Sequence, residues 1–259
     1  MGDFSSDGVI ILAMNRAWKI VIICVVLVGL ALATAFFMMR RYSNSNDSAA
    51  PEATAPAVTL EEQPGSIEPT ILKETVALSV PYTVQAPEQS WNIHEESCEE
   101  AAILMYYYFL IGKKFSNNQI PASTAKTEMT KMKTWQKNNY GKEPDLTITN
   151  LGKFASEYYK LTPQTTKNIT ASNIKMALSE GNPVLVPVMT HSLKNPNYGR
   201  ENTYHILLIK GYNKKGVITN DAGISKGKDY FYTWEILFSA IDAQKTIMKQ
   251  GREMLILIN

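Results

Sequence analysis

Cysteine is scarce in this chain of 259 residues, which contains only Cys24 and Cys98. Two thiols are too few for a framework of disulfides or for a zinc site built from several thiolates. An excess of one charge is lacking as well, because 26 Lys and Arg residues stand against 24 Asp and Glu residues, a formal net charge of +2. This balance argues against a dedicated nucleic-acid-binding protein, so we expect no nucleic-acid partner.

Long apolar runs are absent except at residues 20–39, which contain no charged side chain. Twenty helical residues span about 30 Å, the thickness of the hydrocarbon core of a bilayer. A buried core helix would show a polar face, and this run has none. We predict a single transmembrane anchor here, after a short N-terminal segment of residues 1–19. A cleaved signal peptide is the alternative, because Ala31, Ala33 and Ala35 offer cleavage sites of the A-x-A type.

Residues 40–75 are rich in Ser, Asn, Ala, Pro, Thr and Glu, and they lack aromatic side chains after Tyr42. Such a segment has too little apolar surface to offset the conformational entropy of folding, which predicts a flexible stalk.

The basic residues near the anchor are equal in number on its two sides, so they do not orient it in the membrane. They are Arg16 and Lys19 on one side and Arg40 and Arg41 on the other.

Residues 76–259 have the pattern of a single α+β domain. Ser97 stands at an N-cap position, and the helix predicted from Cys98 to Gly112 is apolar on almost every face, as expected of a central buried helix. The segment Val80–Val84 resembles a sheet edge. The remaining periodicities predict helices near 122–138, 150–161, 172–180 and 234–242, and strands at 183–189, 204–212, 217–220 and 254–258. A helical half is therefore followed by an antiparallel sheet half.

Cys98 is the candidate nucleophile, because it lies in the first turn of the long helix. Unpaired N–H groups and the positive end of the helix dipole favour a thiolate at such a position. The alternative is an inert buried cysteine, which is common in proteins. Glu99 and Glu100 suit the first turn of a helix but oppose a thiolate, although helical spacing does not require them to point in the direction of Cys98.

His205 is the candidate base, since it opens a buried strand and a polar ring there needs a partner. A turn at 213–216 would bring Asp221 beside His205, where a carboxylate could hold the imidazole tautomer. The alternative for Asp221 is a turn former before Gly223. We expect the other histidines, His94 and His191, to be solvated loop residues. No cluster of metal-ligating residues is evident, so we expect neither a metal nor another cofactor.

Four blocks of sequence occur in an order that is known from one enzyme family: V-P-Y-T-V-Q-A-P, C-E-E-A-A, Y-H-I-L-L-I-K-G-Y and I-T-N-D-A-G. Together they resemble the papain-like cysteine peptidases of the C39-like group, over about residues 80–242. The resemblance implies a papain-like fold with Cys98 as nucleophile, His205 as base and Asp221 as orienting acid. It also implies that Gln85 and the Cys98 N–H form an oxyanion hole.

The chain departs from that family at three points. Many members carry Gly-Pro after the cysteine, where this chain has Glu99 and Glu100, and Ala222 stands where relatives often have Pro. The phosphate-binding motif G-x-x-x-x-G-K-[ST] does not occur, so this chain contains no ATP-binding cassette. For this reason the leader-peptide specificity of the exporter-coupled relatives is not carried over.

We therefore expect a membrane-anchored thiol hydrolase that cleaves peptide or amide bonds in a peptide or protein substrate. Residues 20–39 would tether it to the cell membrane, and a hydrolase on a flexible stalk would face outward and reach about 30 Å into the envelope. Two alternatives remain open. One is an inactive papain-like binding module tethered to the cell envelope, and the other is a cell-wall amidase or acyl transferase that uses the same residues.

Overall fold

The structure, a computed structural model, describes residues 72–142, 145–199 and 201–259. The predicted anchor at residues 20–39 and the predicted stalk up to residue 71 lie outside these residues. Of the helices that are described, none is both long enough and apolar enough to cross a membrane.

The helices follow the periodicity of the sequence closely. The α-helices of the described residues are α1 (Trp91–His94), α2 (Cys98–Leu110), α3 (Ala122–Tyr140), α4 (Ile148–Tyr159), α5 (Ala171–Ser179), α6 (Trp234–Ala243) and α7 (Lys245–Met248). Short 3-10 turns occur at Pro87–Gln89, Ser116–Asn118 and Thr190–Leu193. The four-residue helices α1 and α7 were not predicted, because one turn is too short to show a helical period.

The strands form one antiparallel sheet. They are β1 (Val76–Ala77), β2 (Thr162–Lys167), β3 (Val184–Met189), β4 (Tyr204–Tyr212), β5 (Gly216–Asn220), β6 (Tyr230–Thr233) and β7 (Glu253–Ile258). The order across the sheet is β2-β7-β3-β4-β5-β6, and β1 pairs with one end of β4. The helical half and the antiparallel sheet half are thus confirmed, and the class is α+β.

The segment Val80–Val84, which resembles a sheet edge in sequence, is not a strand of this sheet. Only Tyr82 makes an isolated parallel bridge, to Gln119. The Asn220 side chain instead donates hydrogen bonds to the carbonyl oxygens of Val80 and Pro81, over 3.1 and 3.2 Å. Side-chain hydrogen bonds therefore satisfy backbone carbonyl groups that would bond to a neighbouring strand if this segment belonged to the sheet.

Helix α2 is the central helix that its apolar sequence predicts. Every residue from Cys98 to Tyr106 is buried, and Gly112 ends the helix region with a φ of +66°. The Tyr106 hydroxyl donates to the carbonyl oxygen of Pro183 over 2.8 Å and accepts from the backbone N–H of Leu257 over 3.0 Å. The helix is thereby fixed to the sheet, and its first residue has a defined position.

Strands β3 and β4 separate two layers of the core. Alternate residues of β4 face opposite layers: Ile206 and Leu208 pack with α2, whereas Leu207 and Ile209 pack with α5 and α6. Since both faces of the strand are covered, all nine residues of β4 are buried, including His205. The strand reads in sequence as a nearly continuous apolar run for the same reason.

The β4–β5 hairpin places Asp221 as the sequence predicts. The Asn213 N–H donates to the Gly216 carbonyl oxygen over 2.9 Å, and the Asn213 side chain accepts from the Lys215 N–H over 2.8 Å. The chain then returns along β4, with Asn220 opposite Leu208. Asp221 follows directly and lies close to the start of β4, where His205 is.

Candidate active site

A cleft of about 460 Å³ opens where the first turn of α2 meets the beginning of β4. Cys98 and His205 both line it, and Gln85 lines it as well. The remaining lining residues are Trp91, Glu95, Glu96, Thr190, Tyr198, Gly199, Glu201, Thr203, Tyr204 and Gly223. The structure therefore brings the predicted nucleophile, base and oxyanion-hole residue to one cavity.

His205 is held by Asp221. Its Nε2 lies 3.1 Å from Asp221 Oδ1, and both side chains are buried. An ionised carboxylate only accepts hydrogen bonds, so Nε2 carries the hydrogen and Nδ1 of the neutral ring is left as the acceptor. A ring in this tautomer is able to take a proton through Nδ1.

The Asp221 carboxylate is surrounded by donors. Its Oδ1 accepts from the Tyr198 hydroxyl over 2.6 Å and from the Gly223 N–H over 3.2 Å, and its Oδ2 accepts from the Tyr232 hydroxyl over 2.6 Å. Burial by itself raises the pKa of this group, but the hydrogen bonds from His205, Tyr198 and Tyr232 outweigh it and hold the pKa of Asp221 below its usual value. Asp221 is consequently ionised at neutral pH.

Cys98 lies at the start of α2 and is buried except for its contact with the cleft. A hydrogen bond from the Ile206 backbone favours its thiolate and places the sulfur beside the residue that follows His205. Burial and the charge of Glu99 act in the opposite direction and are stronger, so the pKa of Cys98 lies well above its usual value. The surroundings of the sulfur therefore favour the thiol over the thiolate.

Glu99 contacts the sulfur, although helical spacing does not require it to point toward Cys98. The Cys98 thiol donates to Glu99 Oε2 over 2.8 Å, and Glu99 Oε1 accepts from the backbone N–H of Leu146 over 2.9 Å. Burial and the neighbouring charge of Glu100 raise the pKa of Glu99. The sequence does not predict this contact because it depends on the loop before α4, which draws the carboxyl group across the end of α2.

The second acid, Glu100, belongs to a buried polar cluster behind the sulfur. Its Oε1 accepts from the Gln136 side chain of α3, and burial raises the pKa of Glu100. His94, expected to be a solvated loop residue, is fully buried at the end of α1, and its Nδ1 lies 3.0 Å from the Ser97 hydroxyl. Ser97 occupies the N-cap position as predicted, but its side chain bonds to this ring rather than capping α2. His191 is exposed, as expected.

Gln85 lines the cleft and lies next to the loop that follows β5. Its side-chain amide donates to the Glu95 carbonyl oxygen, and its backbone N–H donates to the Ala222 carbonyl oxygen over 2.8 Å. These two hydrogen bonds fix the amide at the wall of the cleft, next to the residue that follows Asp221. A planar –NH₂ group has a second hydrogen for a developing negative charge.

Gly223 allows the loop after β5 to approach the imidazole closely. A Cβ atom at this position would lie 2.7 Å from the Tyr198 hydroxyl and 3.2 Å from His205 Cε1. The absence of a side chain therefore lets the loop after β5 lie against the imidazole. Gly199 lines the same cleft, but a Cβ there would meet nothing within 4 Å.

The loop between β3 and β4 borders the cleft, as its position before His205 predicts. Five of its residues line the cavity: Thr190, Tyr198, Gly199, Glu201 and Thr203. Its Asn195 side chain donates to the Tyr232 hydroxyl over 2.6 Å, and the Tyr198 ring packs edge-on against the His205 ring with centroids 5.9 Å apart. The loop thus supports the residues that hold Asp221.

Metal ligation is not part of the described site. No group of three or more His, Cys, Asp or Glu side chains that could hold a metal ion occurs among residues 72–142, 145–199 and 201–259. What the cleft does combine is a sulfur, an oriented imidazole and an amide donor.

Comparison with known proteins assigns the family. Residues 77–243 match the model of the Peptidase_C39 like family, which is well over half of the chain. The chain belongs to this family. No curated protein matches the chain.

Two solved structures are similar to this member of the Peptidase_C39 like family when the structures are compared. One is described as a C39-like peptidase from Bacillus anthracis, with 13% identity and a TM-score of 0.47, covering 72% of this chain and 98% of the other. The other is xylellain, a cysteine protease from Xylella fastidiosa, with 12% identity and a TM-score of 0.39, covering 73% and 87%. The match to the family model confirms the predicted C39-like group, and the described residues have the predicted α+β architecture.

Two site residues of this family member were not found by the sequence reasoning. Tyr198 and Tyr232 both donate to Asp221, but they lie 23 and 11 residues away from it in sequence. Tyrosine is frequent in this chain, with 13 residues, so its type alone gave no signal. A weak signal did exist for Tyr198, because it lies in the loop that the sequence places beside the cleft.

Proposed function

We propose that this Peptidase_C39-like domain cleaves peptide or amide bonds, with Cys98 as nucleophile, His205 as general base and Asp221 as the residue that orients the base. Membership of a family of cysteine peptidases supports a thiol hydrolase in general. The observation that carries the proposal is the imidazole of His205, which faces the cleft of Cys98 while Asp221 fixes its Nε2.

The proton movements follow from the tautomer. His205 Nδ1 takes the proton of Cys98, and the resulting thiolate attacks the carbonyl carbon of the substrate. The imidazolium is stabilised by Asp221 and then gives its proton to the leaving amine. Water attacks the thioester in the second half of the reaction, with His205 again acting as the base, and releases the free cysteine.

The tetrahedral oxyanion needs donors that are already in place. Gln85 is the candidate, since its amide lines the cleft and two hydrogen bonds fix its position. The Cys98 N–H at the start of α2 is the second candidate donor. A donor of this kind typically contributes about 10²–10³ in rate.

A second candidate function is a binding module that keeps the scaffold without turnover. The observation that favours it is the hydrogen bond from the Cys98 thiol to Glu99, because a nearby carboxyl group disfavours the thiolate. Such a module would bind a peptide in the cleft and leave it intact.

Labelling with a peptide-based electrophile that acylates cysteine separates the two functions. A peptidase reacts rapidly at Cys98, and His205→Ala reduces the rate by about 10³-fold or more because the base is lost. His191→Ala is the matched control, since this exposed histidine lies in the neighbouring loop and its loss should leave the rate unchanged. Slow labelling that is the same in wild type and His205→Ala would support the binding module and contradict the peptidase.

We further propose that residues 20–39 anchor the protein in the cell membrane, with residues 76–259 outside the cytoplasm. The support is the uncharged run of twenty residues and the polar segment of residues 40–75 after it. Protease added to intact cells should digest the domain without lysis. A domain that stays protected until the cells are lysed would contradict this orientation.

A further inference from the structure

Glu99 touches the reactive atom of the site. Neighbouring residues on a helix point in directions about 100° apart and do not normally meet. In this structure the Glu99 side chain nevertheless reaches back, and its Oε2 accepts from the Cys98 thiol over 2.8 Å. This contact is not required by the proposed peptidase reaction, in which the proton goes to His205.

The loop before α4 holds the carboxyl group in this position. Glu99 Oε1 accepts from the Leu146 N–H over 2.9 Å, and the Leu146 carbonyl oxygen accepts from the Tyr204 hydroxyl over 2.8 Å. Tyr204 directly precedes His205, and its hydroxyl accepts in turn from the Gln250 side chain over 3.2 Å. Both carboxyl oxygens are therefore used, and the loop that holds them is tied to the strand of the base.

The charges around the sulfur and Glu99 come from several elements. Glu99 and Glu100 on α2 act on Cys98, while Tyr204 of β4 and Tyr198 of the β3–β4 loop interact with it. Other titratable or charged groups around the pair are Asp145 before α4, Lys133 of α3, and His205 with Asp221. Three further acids of the described residues line the same cleft as Cys98: Glu95, Glu96 and Glu201. Glu99 itself is only 2% exposed, so water screens its charge from the sulfur very little.

We propose that Glu99 is a positioning residue that keeps Cys98 protonated in the resting site and so sets the pH at which this cysteine becomes a nucleophile. The role rests on the proposed function, because it concerns the same sulfur. When the pair of Glu99 and Cys98 shares one proton, that proton stays on the sulfur and the carboxylate accepts from it. The pair loses its two protons in two coupled steps, and each step is a property of the pair rather than of Cys98 or Glu99 alone.

Replacement of Glu99 by glutamine tests this role. Glu99→Gln keeps the shape of the side chain and the acceptor for Leu146 but removes the charge. In the full-length chain carrying Cys24→Ser, alkylation of Cys98 by iodoacetamide is followed over a pH series by mass spectrometry. The midpoint should fall by about one pH unit or more, with alkylation about tenfold faster above about pH 8, because Glu99 of the wild type has a pKa raised to about 8 and is ionised there.

Glu100→Gln is the matched control. This carboxyl group has the same burial and lies one residue further along α2, but it bonds to Gln136 and not to the sulfur. Its loss should move the midpoint by less than half as much as Glu99→Gln does. Glu99→Asp, which retains the charge, should keep the midpoint close to the wild-type value. An unchanged midpoint in Glu99→Gln, or an equal change in Glu100→Gln, would overturn the role.

The wild-type protein offers a readout that does not depend on the folding of a variant. An infrared difference spectrum between the protein and Cys98→Ser should contain an S–H stretching band at neutral pH, shifted to lower frequency by the hydrogen bond to Glu99. Absence of that band would mean that the resting sulfur is a thiolate and would overturn the proposal.

The result for Glu99 is independent of the result for the peptidase. Loss of acylation in His205→Ala together with an unchanged midpoint in Glu99→Gln would retain the peptidase and reject the role of Glu99. Unchanged acylation in His205→Ala together with a lowered midpoint in Glu99→Gln would reject the peptidase and retain the role of Glu99 in keeping Cys98 protonated.

Discussion

Asp221 and Glu99 are two buried carboxyl groups of one cleft region, and their surroundings shift their pKa values in opposite directions. Asp221 is 0% exposed and Glu99 is 2% exposed, so burial affects both strongly. Asp221 accepts from an imidazole, two tyrosine hydroxyls and a backbone N–H, and its pKa is lowered. Glu99 accepts from a thiol and from the backbone N–H groups of Leu146 and of Glu99 itself, beside a second acid, and its pKa is raised.

The difference shows that the number and kind of donors, more than depth, decide the charge of a buried acid. At Asp221 the charge is kept and serves to hold an imidazole. At Glu99 the neighbouring Glu100 opposes the charge, and the only side-chain donor among the hydrogen bonds described for Glu99 is the thiol of Cys98. In the proposed mechanism, Asp221 supports the base and Glu99 restrains the nucleophile.

The largest expected effect on the acylation rate comes from replacing Asp221. Asp221→Asn removes the charge that stabilises the imidazolium and offers His205 the wrong tautomer. We expect acylation of Cys98 by the peptide electrophile to slow by about 10³–10⁴-fold.

Asp242→Asn provides the control for that substitution. Asp242 also bonds to basic side chains, Arg252 and Lys245, but it lies on the surface outside the cleft. Its loss should leave the acylation rate unchanged and cost at most about 1 kcal/mol of unfolding free energy. Asp221→Asn with the acylation rate of the wild type would contradict the orienting role.

A smaller effect is expected at the glycine that lies against the ring. Gly223→Ala introduces a Cβ that is 2.7 Å from the Tyr198 hydroxyl, so Tyr198 or His205 must move. The rate of acylation should fall by about 10–100-fold, which is typical of a small misplacement of reacting groups. Gly199→Ala, in the same cleft but with free space around the added atom, should react like the wild type. Equal rates in the two variants would show that this close approach is unimportant.

The donors of Asp221 should contribute to stability in a pH-dependent manner. Tyr232→Phe removes one of them, with an expected loss of about 1–2 kcal/mol at neutral pH. Because the pKa of Asp221 is lowered on folding, its contribution is present above the usual pKa of Asp, about 3.9, and disappears as the pH falls through the folded value. Urea unfolding at a series of pH values should show the two proteins converging in acid. A difference that is constant with pH would contradict this account.

The acid pair of α2 should give the opposite pH dependence. The pKa of Glu100 is raised on folding, so the folded state loses stability as the pH rises from the usual pKa of Glu, about 4.3, through the folded value. Glu100→Gln lacks this loss. The free energy of unfolding of the variant minus that of wild type should therefore increase by on the order of 1 kcal/mol per pH unit in that range. Urea unfolding at the same series of pH values measures this difference. A difference that decreases as the pH rises would show that ionisation of Glu100 does not destabilise the folded state.

Much of the framework of the site was predictable because it depends on local patterns. The buried helix that begins at Cys98, the strand that begins at Tyr204 and the turn at 213–216 each have a clear signal in the sequence. A two-strand hairpin also fixes where its far end lies, so the proximity of Asp221 to His205 followed from short-range geometry.

Contacts over long separations were not predictable in this way. Tyr198 and Tyr232 reach Asp221 from a loop and from β6. Glu99 is held beside the sulfur by the N–H of Leu146, which lies 47 residues later in the loop before α4. The burial of His94 likewise depends on α3 covering α1, with Thr130 3.3 Å from its Nε2. Strand β2 was missed because its residues are mostly exposed and polar, and only its backbone pairing with β7 makes it a strand.

The most direct test of the Cys98–His205 site is the pre-steady-state release of the leaving group from an activated peptide ester. The account predicts a burst of about one leaving group per chain, as a thioester accumulates on Cys98, followed by slower turnover. The burst should vanish in Cys98→Ser and in His205→Ala. Release without a burst, at a rate that His205→Ala does not change, would contradict the account.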